Sequence, residues 1–143
     1  MRTVSVQIPL GNEVRRITRK SYVEASAEEV ESGIFIHPSI SVGPNSEVVL
    51  AEKGDWTISV GPLCLLVASG IPTKRIAIRL ARLLSTTPVN WTTLTDANAK
   101  RVPHYIQEAI SVIRFFGIDD RKEKVEKFKR LLQLKPTDPS MEE

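Results

Sequence analysis

Apolar and polar residues alternate through the first 60 positions and then change to helical spacing, so the pattern divides the chain before any motif is considered. Val4, Val6 and Ile8 at every second position predict a strand, followed by a turn at 9–12. Residues 14–23 are again a mixture of β-branched and polar side chains. Segments 34–36, 39–42, 48–51 and 56–60 read as further strands, with Glu52-Lys53-Gly54-Asp55 as a hairpin turn before the last. Ser26-Ala27-Glu28-Glu29 matches a capping box and Gly33 suits a helix end, which predicts one helical turn among these strands. The pentapeptide Ile-Ser-Val-Gly-Pro occurs at 40–44 and again at 58–62. Glycine permits a turn and proline ends a ladder, so the repeat reads as two strands of one meander; an ancient duplicated unit is the alternative.

From Pro62 the spacing becomes helical. Pro62 fits the first helical position and Gly70 the residue after the end of a short, all-apolar buried helix. Thr73 caps a second helix reaching about Leu84, closed by Ser85-Thr86-Thr87-Pro88. Pro103 opens a third, with Ile106, Ala109, Ile110 and Ile113 as its stripe and Gly117 at its end. Asp119 or Asp120 caps a fourth, in which Val125, Phe128 and Leu132 form a narrow apolar edge and Glu123/Lys127 and Glu126/Arg130 form i,i+4 pairs. Strands first and helices after predict an α+β fold. It is read as a single domain over 1–134, an antiparallel meander (about 1–60) packed on about four helices (about 62–134), with a disordered tail at 135–143 containing Pro136 and Pro139.

The chain has 143 residues, 41% hydrophobic and 26% charged, which is the balance of a globular domain with its own core. Its net charge of +3 is small, but it is unevenly spread. Residues 1–20 hold five Lys/Arg against one acid, 21–55 hold one against seven, and 56–143 hold fourteen against nine. The single cysteine, Cys64, excludes an intramolecular disulfide and sits in an apolar run, consistent with a reducing compartment. The N-terminal alternation lacks the apolar run of a signal peptide, and no segment reaches the roughly 18 apolar residues of a membrane span. A soluble or peripheral protein in the cytoplasm or another reducing intracellular compartment is expected.

Few residues favour catalysis. His37 and His104 each border a proline, with no metal-ligand partner at the usual spacing. Cys64 is expected to pack, and the isolated glycines form no phosphate loop. The paired acids Glu28-Glu29 and Asp119-Asp120 suit helix starts. No catalytic residue, metal ligand or cofactor site is assigned; a site assembled from distant residues would leave no local signal.

The informative feature is charge. Between Asp55 and Asp96 there is no acid, and the four basic residues there are Lys74, Arg75, Arg79 and Arg82. On a helix the three arginines fall within about 60° of arc, with Ile76, Leu80, Leu83 and Leu84 on the opposite side. Such a stripe is solvated, paired from the acidic run Glu24, Glu28, Glu29 and Glu31, or met by an anionic partner. Guanidinium forks suit phosphate, and Trp91 with Asn90, Thr92 and Thr93 follows closely as a possible stacking and hydrogen-bonding group, or as core. Arg15, Arg16, Arg19 and Lys20 form a second cluster; Arg121 to Arg130 is largely self-paired. Phe115 and Phe116 lie about 100° apart on a helix, so one is expected at the surface, as in a homo-oligomer interface.

The leading expectation is therefore a small, non-enzymatic, self-associating protein that binds RNA or single-stranded DNA with little sequence specificity, similar in composition to small basic structural or accessory proteins of viruses and phages. Two rivals remain open: a protein-protein interaction module that does not bind nucleic acid, and a matrix-type protein on an anionic membrane surface.

Overall fold

The period-two pattern at the start of the chain becomes an edge strand, and the helical periods after Thr73 become a layer of helices over one sheet face. The structure is a computed structural model that describes residues 1–9, 22–42, 48–50, 55–116 and 121–133. The strands are β1 (Arg2–Pro9), β2 (Tyr22–Glu31), β3 (Ile34–Pro38), β4 (Ile40–Val42), β5 (Val48–Leu50), β6 (Trp56–Val60) and β7 (Leu65–Ile71). The helices are α1 (Lys74–Ser85), α2 (Asp96–Ala99), α3 (His104–Ile113) and α4 (Arg121–Gln133), with a 3-10 turn at Trp91–Thr93. Five strands form an antiparallel sheet ordered β1-β2-β3-β6-β7, and β4 pairs with β5 as a separate ribbon. The α+β expectation holds.

Register decides which side chains meet. Ile34 lies opposite Val60 and Ile36 opposite Ile58, so these residues share the face that packs on the helices. With Val30, Ala68, Leu80, Leu84, Ile106, Ile113, Phe116 and Phe128 they make the main core. Val4 opposite Ala27 and Val6 opposite Ala25 point the other way, into a smaller cluster with Phe35, Ile40 and Cys64. Helix α1 lies across β2, β3 and β6 through Ala77, Leu80, Ala81 and Leu84. Leu80 and Leu84 are fully buried, each stabilising the fold by about 1.5–3 kcal/mol. At the other end, Lys124 of α4 donates to the Phe116 carbonyl and lies 5.7 Å from the Phe116 ring, fastening α4 to the chain after α3.

Two glycines set the turns at one end of the sheet. Gly33 and Gly61 have φ of +78° and +76°, and the Gly61 N–H donates to the Gly33 carbonyl at 2.9 Å. A Cβ at Gly33 would stand 2.6 Å from the Thr92 nitrogen, and one at Gly61 would collide with the Leu94 carbonyl. The sheet therefore approaches the 91–94 turn more closely than any side chain permits.

Several sequence expectations are corrected. The capping-box segment 26–29 is not a helical turn but the middle of β2, whose pairing with β1 is unbroken from Arg2/Glu29 to Pro9/Tyr22. One isolated turn is a costly nucleus, whereas the neighbouring strand supplies a ladder for the whole segment. Gly33 instead turns the β2–β3 hairpin. The apolar run after Pro62 is β7, not a buried helix, so the meander extends to Ile71. A short all-apolar run fits either element, and the open edge of β6 decides between them. The repeated pentapeptide contributes β4 to the ribbon and the end of β6 to the large sheet, so β5 pairs with β4 and is not in a hairpin with β6. Helix α3 ends at Ile113, and Phe115 leaves it to bridge Ser69 of β7. Glu126 reaches Arg79 of α1 at 3.6 Å in place of Arg130. The predicted turn at 52–54, Gly117, Asp119, Asp120 and the tail at 135–143 lie outside the described residues.

Candidate nucleic-acid interface

Helix α1 begins at Thr73, whose hydroxyl accepts the Ile76 N–H at 3.2 Å. No acid occupies its first turn; Lys74 and Arg75 stand there instead, against the helix dipole. Lys74 is compensated: its ammonium lies 2.8 Å from both Glu28 carboxylate oxygens and 5.9 Å from the Trp56 ring centroid. It is a half-exposed strut between helix and sheet, paired with Glu28 rather than free. Arg79 faces Glu126 at 3.6 Å, and both side chains are more than half exposed, so solvent screens the pair. Arg75 and Arg82 are exposed and form no ion pair among the described residues.

These residues line one concavity. A groove of about 840 Å³ runs along α1 and is bounded by Met1, Lys74, Arg75, Ile78, Arg79, Arg82, Leu83 and Thr86, with no carboxylate among them. Its charge comes from the stripe that the sequence singled out; its apolar walls do not. Leu83, expected opposite the arginines, instead flanks them about 80° from Arg75, with Ile78 about 60° on the other side; helical geometry alone gives both offsets. Met1 has no such signal, because the sheet alone brings the start of β1 beside α1.

The structure does not bring Trp91 into this site. It is 4% exposed, and its indole N–H donates to the Leu84 carbonyl at 3.2 Å, so it is core rather than a stacking platform. Its neighbours are also committed: Asn90 Oδ1 accepts the Thr92 N–H at 3.2 Å, and the Thr93 hydroxyl donates to the Asn90 carbonyl at 3.3 Å. Arg15, Arg16, Arg19 and Lys20 lie outside the described residues. Two of the four acids in the run Glu24, Glu28, Glu29 and Glu31 are engaged in ion pairs, one of them with α1. Glu28 holds Lys74; Glu29 accepts from Arg2 at 2.6 Å and from the Gly33 N–H at 3.1 Å, bonds that hold its carboxyl below the usual range, the Gly33 contact most of all.

The other candidate groups are structural. His37 is 2% exposed, with Nδ1 2.9 Å from the Pro38 carbonyl and Nε2 3.0 Å from the Ser59 hydroxyl. A carbonyl accepts only, so Nδ1 carries the proton and Ser59 donates to Nε2. Burial pushes the His37 pKa down, partly opposed by the Pro38 bond. Cys64 is buried with φ of 49°, and burial pushes its thiol pKa up. Phe115 is 76% exposed while Phe116 is fully buried. Among the described residues there is no group of three His, Cys, Asp or Glu side chains able to hold a metal, and no helix is long and apolar enough to cross a membrane.

Comparison with protein-family models, with curated proteins and with solved structures found no match to this chain.

Proposed function

We propose that this chain is a non-enzymatic, self-associating protein that binds single-stranded nucleic acid, RNA foremost, with little sequence specificity, in the α1 groove. The observation that carries this reading is the combination of arginines and apolar walls in one concavity, with no carboxylate among its described lining residues. Phosphates pair with Arg75 and Arg82 directly and with Arg79 by exchange for Glu126, because guanidinium forks match phosphate oxygens. Base faces rest on Met1, Ile78 and Leu83, which exclude water but offer no hydrogen bonds that distinguish one base from another. Concavity favours a strand over a membrane, since a headgroup plane engages a convex or flat basic surface. The exposed Phe115 supplies a contact for self-association, and the lone buried Cys64 suits a reducing intracellular compartment. Composition similar to small viral and phage structural or accessory proteins is the only guide to its setting.

The test is whether purified protein carries nucleic acid, read as absorbance at 260 nm relative to 280 nm, followed by fluorescence anisotropy with a labelled single-stranded RNA after stripping. Binding that survives stripping and is lost in Arg75→Glu/Arg82→Glu is the expected outcome. A clean protein that binds neither RNA nor anionic vesicles refutes the reading and leaves a protein-protein interaction module; capture by vesicles alone leaves a matrix-type membrane role.

A further inference from the structure

The sheet has an edge whose chemistry selects its own copy. Among the described residues β1 pairs only with β2, and that ladder runs without a bulge from Arg2 to Pro9, leaving the outward backbone N–H and C=O groups of the strand open. Natural edges are usually blocked by lysine, proline or a bulge; from Thr3 to Ile8 this strand has no charged residue and no proline. Its sequence is also nearly palindromic about Ser5, with Val4 and Val6 on either side and polar Thr3 and Gln7 beyond. Antiparallel self-pairing places each residue near its own counterpart, so a charge close to the centre would repel itself, and none is there.

We infer that β1 pairs antiparallel with β1 of a second copy, centred on Ser5, joining two sheets into one of ten strands. Val4 of each copy then lies opposite Val6 of the other on the face that already buries Val6, and Thr3 lies opposite Gln7 on the helix side. Among the described residues that side is open, since α1 lies over β2, β3 and β6, and Thr3, Ser5 and Gln7 are exposed.

The pairing also brings two basic helices into one particle, and this part of the inference rests on the function proposed above. With strands about 4.8 Å apart and α1 centred near β3, the two α1 axes stand about 24 Å apart across the dyad. The arginine arc lies opposite Leu80 and Leu84, which pack on the sheet, so each stripe faces away from the sheet. The sheet between the helices carries Glu24, which accepts the Ser5 hydroxyl at 2.6 Å, and Glu28, which holds Lys74, so phosphate is met on the outer helix faces and not between them. A single strand long enough to span about 24 Å engages both stripes of the dimer.

The test is made in a Phe115→Asp background, so that contact at the opposite sheet edge contributes nothing. The expected result is twice the monomer mass by light scattering at tens of micromolar, reverting to the monomer in Ser5→Lys with an unchanged far-UV spectrum. Cysteine pairing reads the register independently of folding losses: Ser5→Cys alone forms a covalent dimer under mild oxidation, whereas Thr3→Cys and Gln7→Cys form one only when mixed. Cys64 is buried and does not compete. A monomer that yields no covalent Ser5→Cys dimer, or equal cross-linking by Thr3→Cys alone, overturns the inference. RNA binding that persists in such a monomer leaves the proposed function standing without the dimer; a correctly registered dimer that ignores RNA confirms the interface and refutes that function instead.

Discussion

On the proposed function, the salt dependence of RNA binding counts the arginines that reach phosphate, and the ion pairs of α1 bound that count. Lys74 is held by Glu28 and contributes none; Arg75 and Arg82 contribute one phosphate each, and Arg79 a third once its screened pair with Glu126 exchanges. On single strands each neutralised phosphate adds about −0.7 to the slope of log K against log salt, so three give about −2.1. Raising salt from about 50 to 200 mM should then weaken binding about 18-fold. Replacing Arg75 and Arg82 by Gln leaves Arg79 alone, a slope of about −0.7 and a loss of about 2.6-fold over the same range. Gln preserves helix propensity and both side chains are exposed, so the melting temperature should stay within error. Anisotropy titrations at four salt concentrations measure the slopes. A wild-type slope near zero means the ligand is not a polyanion. An unchanged slope in a folded double variant removes the α1 stripe from the mechanism, while a wild-type slope well beyond −2.1 with the predicted decrement implicates cations outside the stripe, such as Arg15 to Lys20.

Three further outcomes follow from burial and protonation. Phe115→Asp should reduce self-association by light scattering while shifting stability by less than about 0.5 kcal/mol, whereas Phe116→Ala should lose about 3–5 kcal/mol because that ring is fully buried; equal melting of both variants would refute the distinction. Trp91→Phe should lose about 0.5–1.5 kcal/mol with the indole bond to the Leu84 carbonyl, which the Thr87 N–H at 3.1 Å and hydroxyl at 2.7 Å still satisfy, and leave RNA affinity unchanged, so a selective loss of affinity would restore Trp91 as a stacking residue. His37 binds a proton less readily folded than unfolded, so its contribution is fully present above its unfolded pKa near 6.5 and is lost as pH falls from there toward the lower folded value. Urea unfolding at about pH 5 and 7.5 should show that decline in wild type and a smaller one in His37→Gln, and equal declines would exclude His37 as its source.

Local physics made much of this protein legible in its sequence. The alternation at Val4, Val6 and Ile8, the Thr73 cap, the arginine arc of α1 and the apolar edge Val125, Phe128 and Leu132 all depend on periodicity within one element, which sequence carries in full. The exposure of one phenylalanine from the adjacent pair also emerges, though the reason differs: Phe115 bridges β7 beyond the end of the helix, instead of sharing a helix with its neighbour. Other outcomes were settled between elements. Segments 26–29 and 65–71 have local signals that suit helix, and each became strand because an adjacent strand could satisfy its backbone along its whole length. Trp91 carries no sequence mark that separates a stacking indole from a core one; the Leu84 carbonyl and the close approach of Gly33 decide it. Charge is the clearest case. Sequence counts four cations on α1, but only the fold places Glu28 beneath Lys74, Glu126 beside Arg79 and Met1 across the groove, because the reach of a counter-charge is a distance in space and not in sequence.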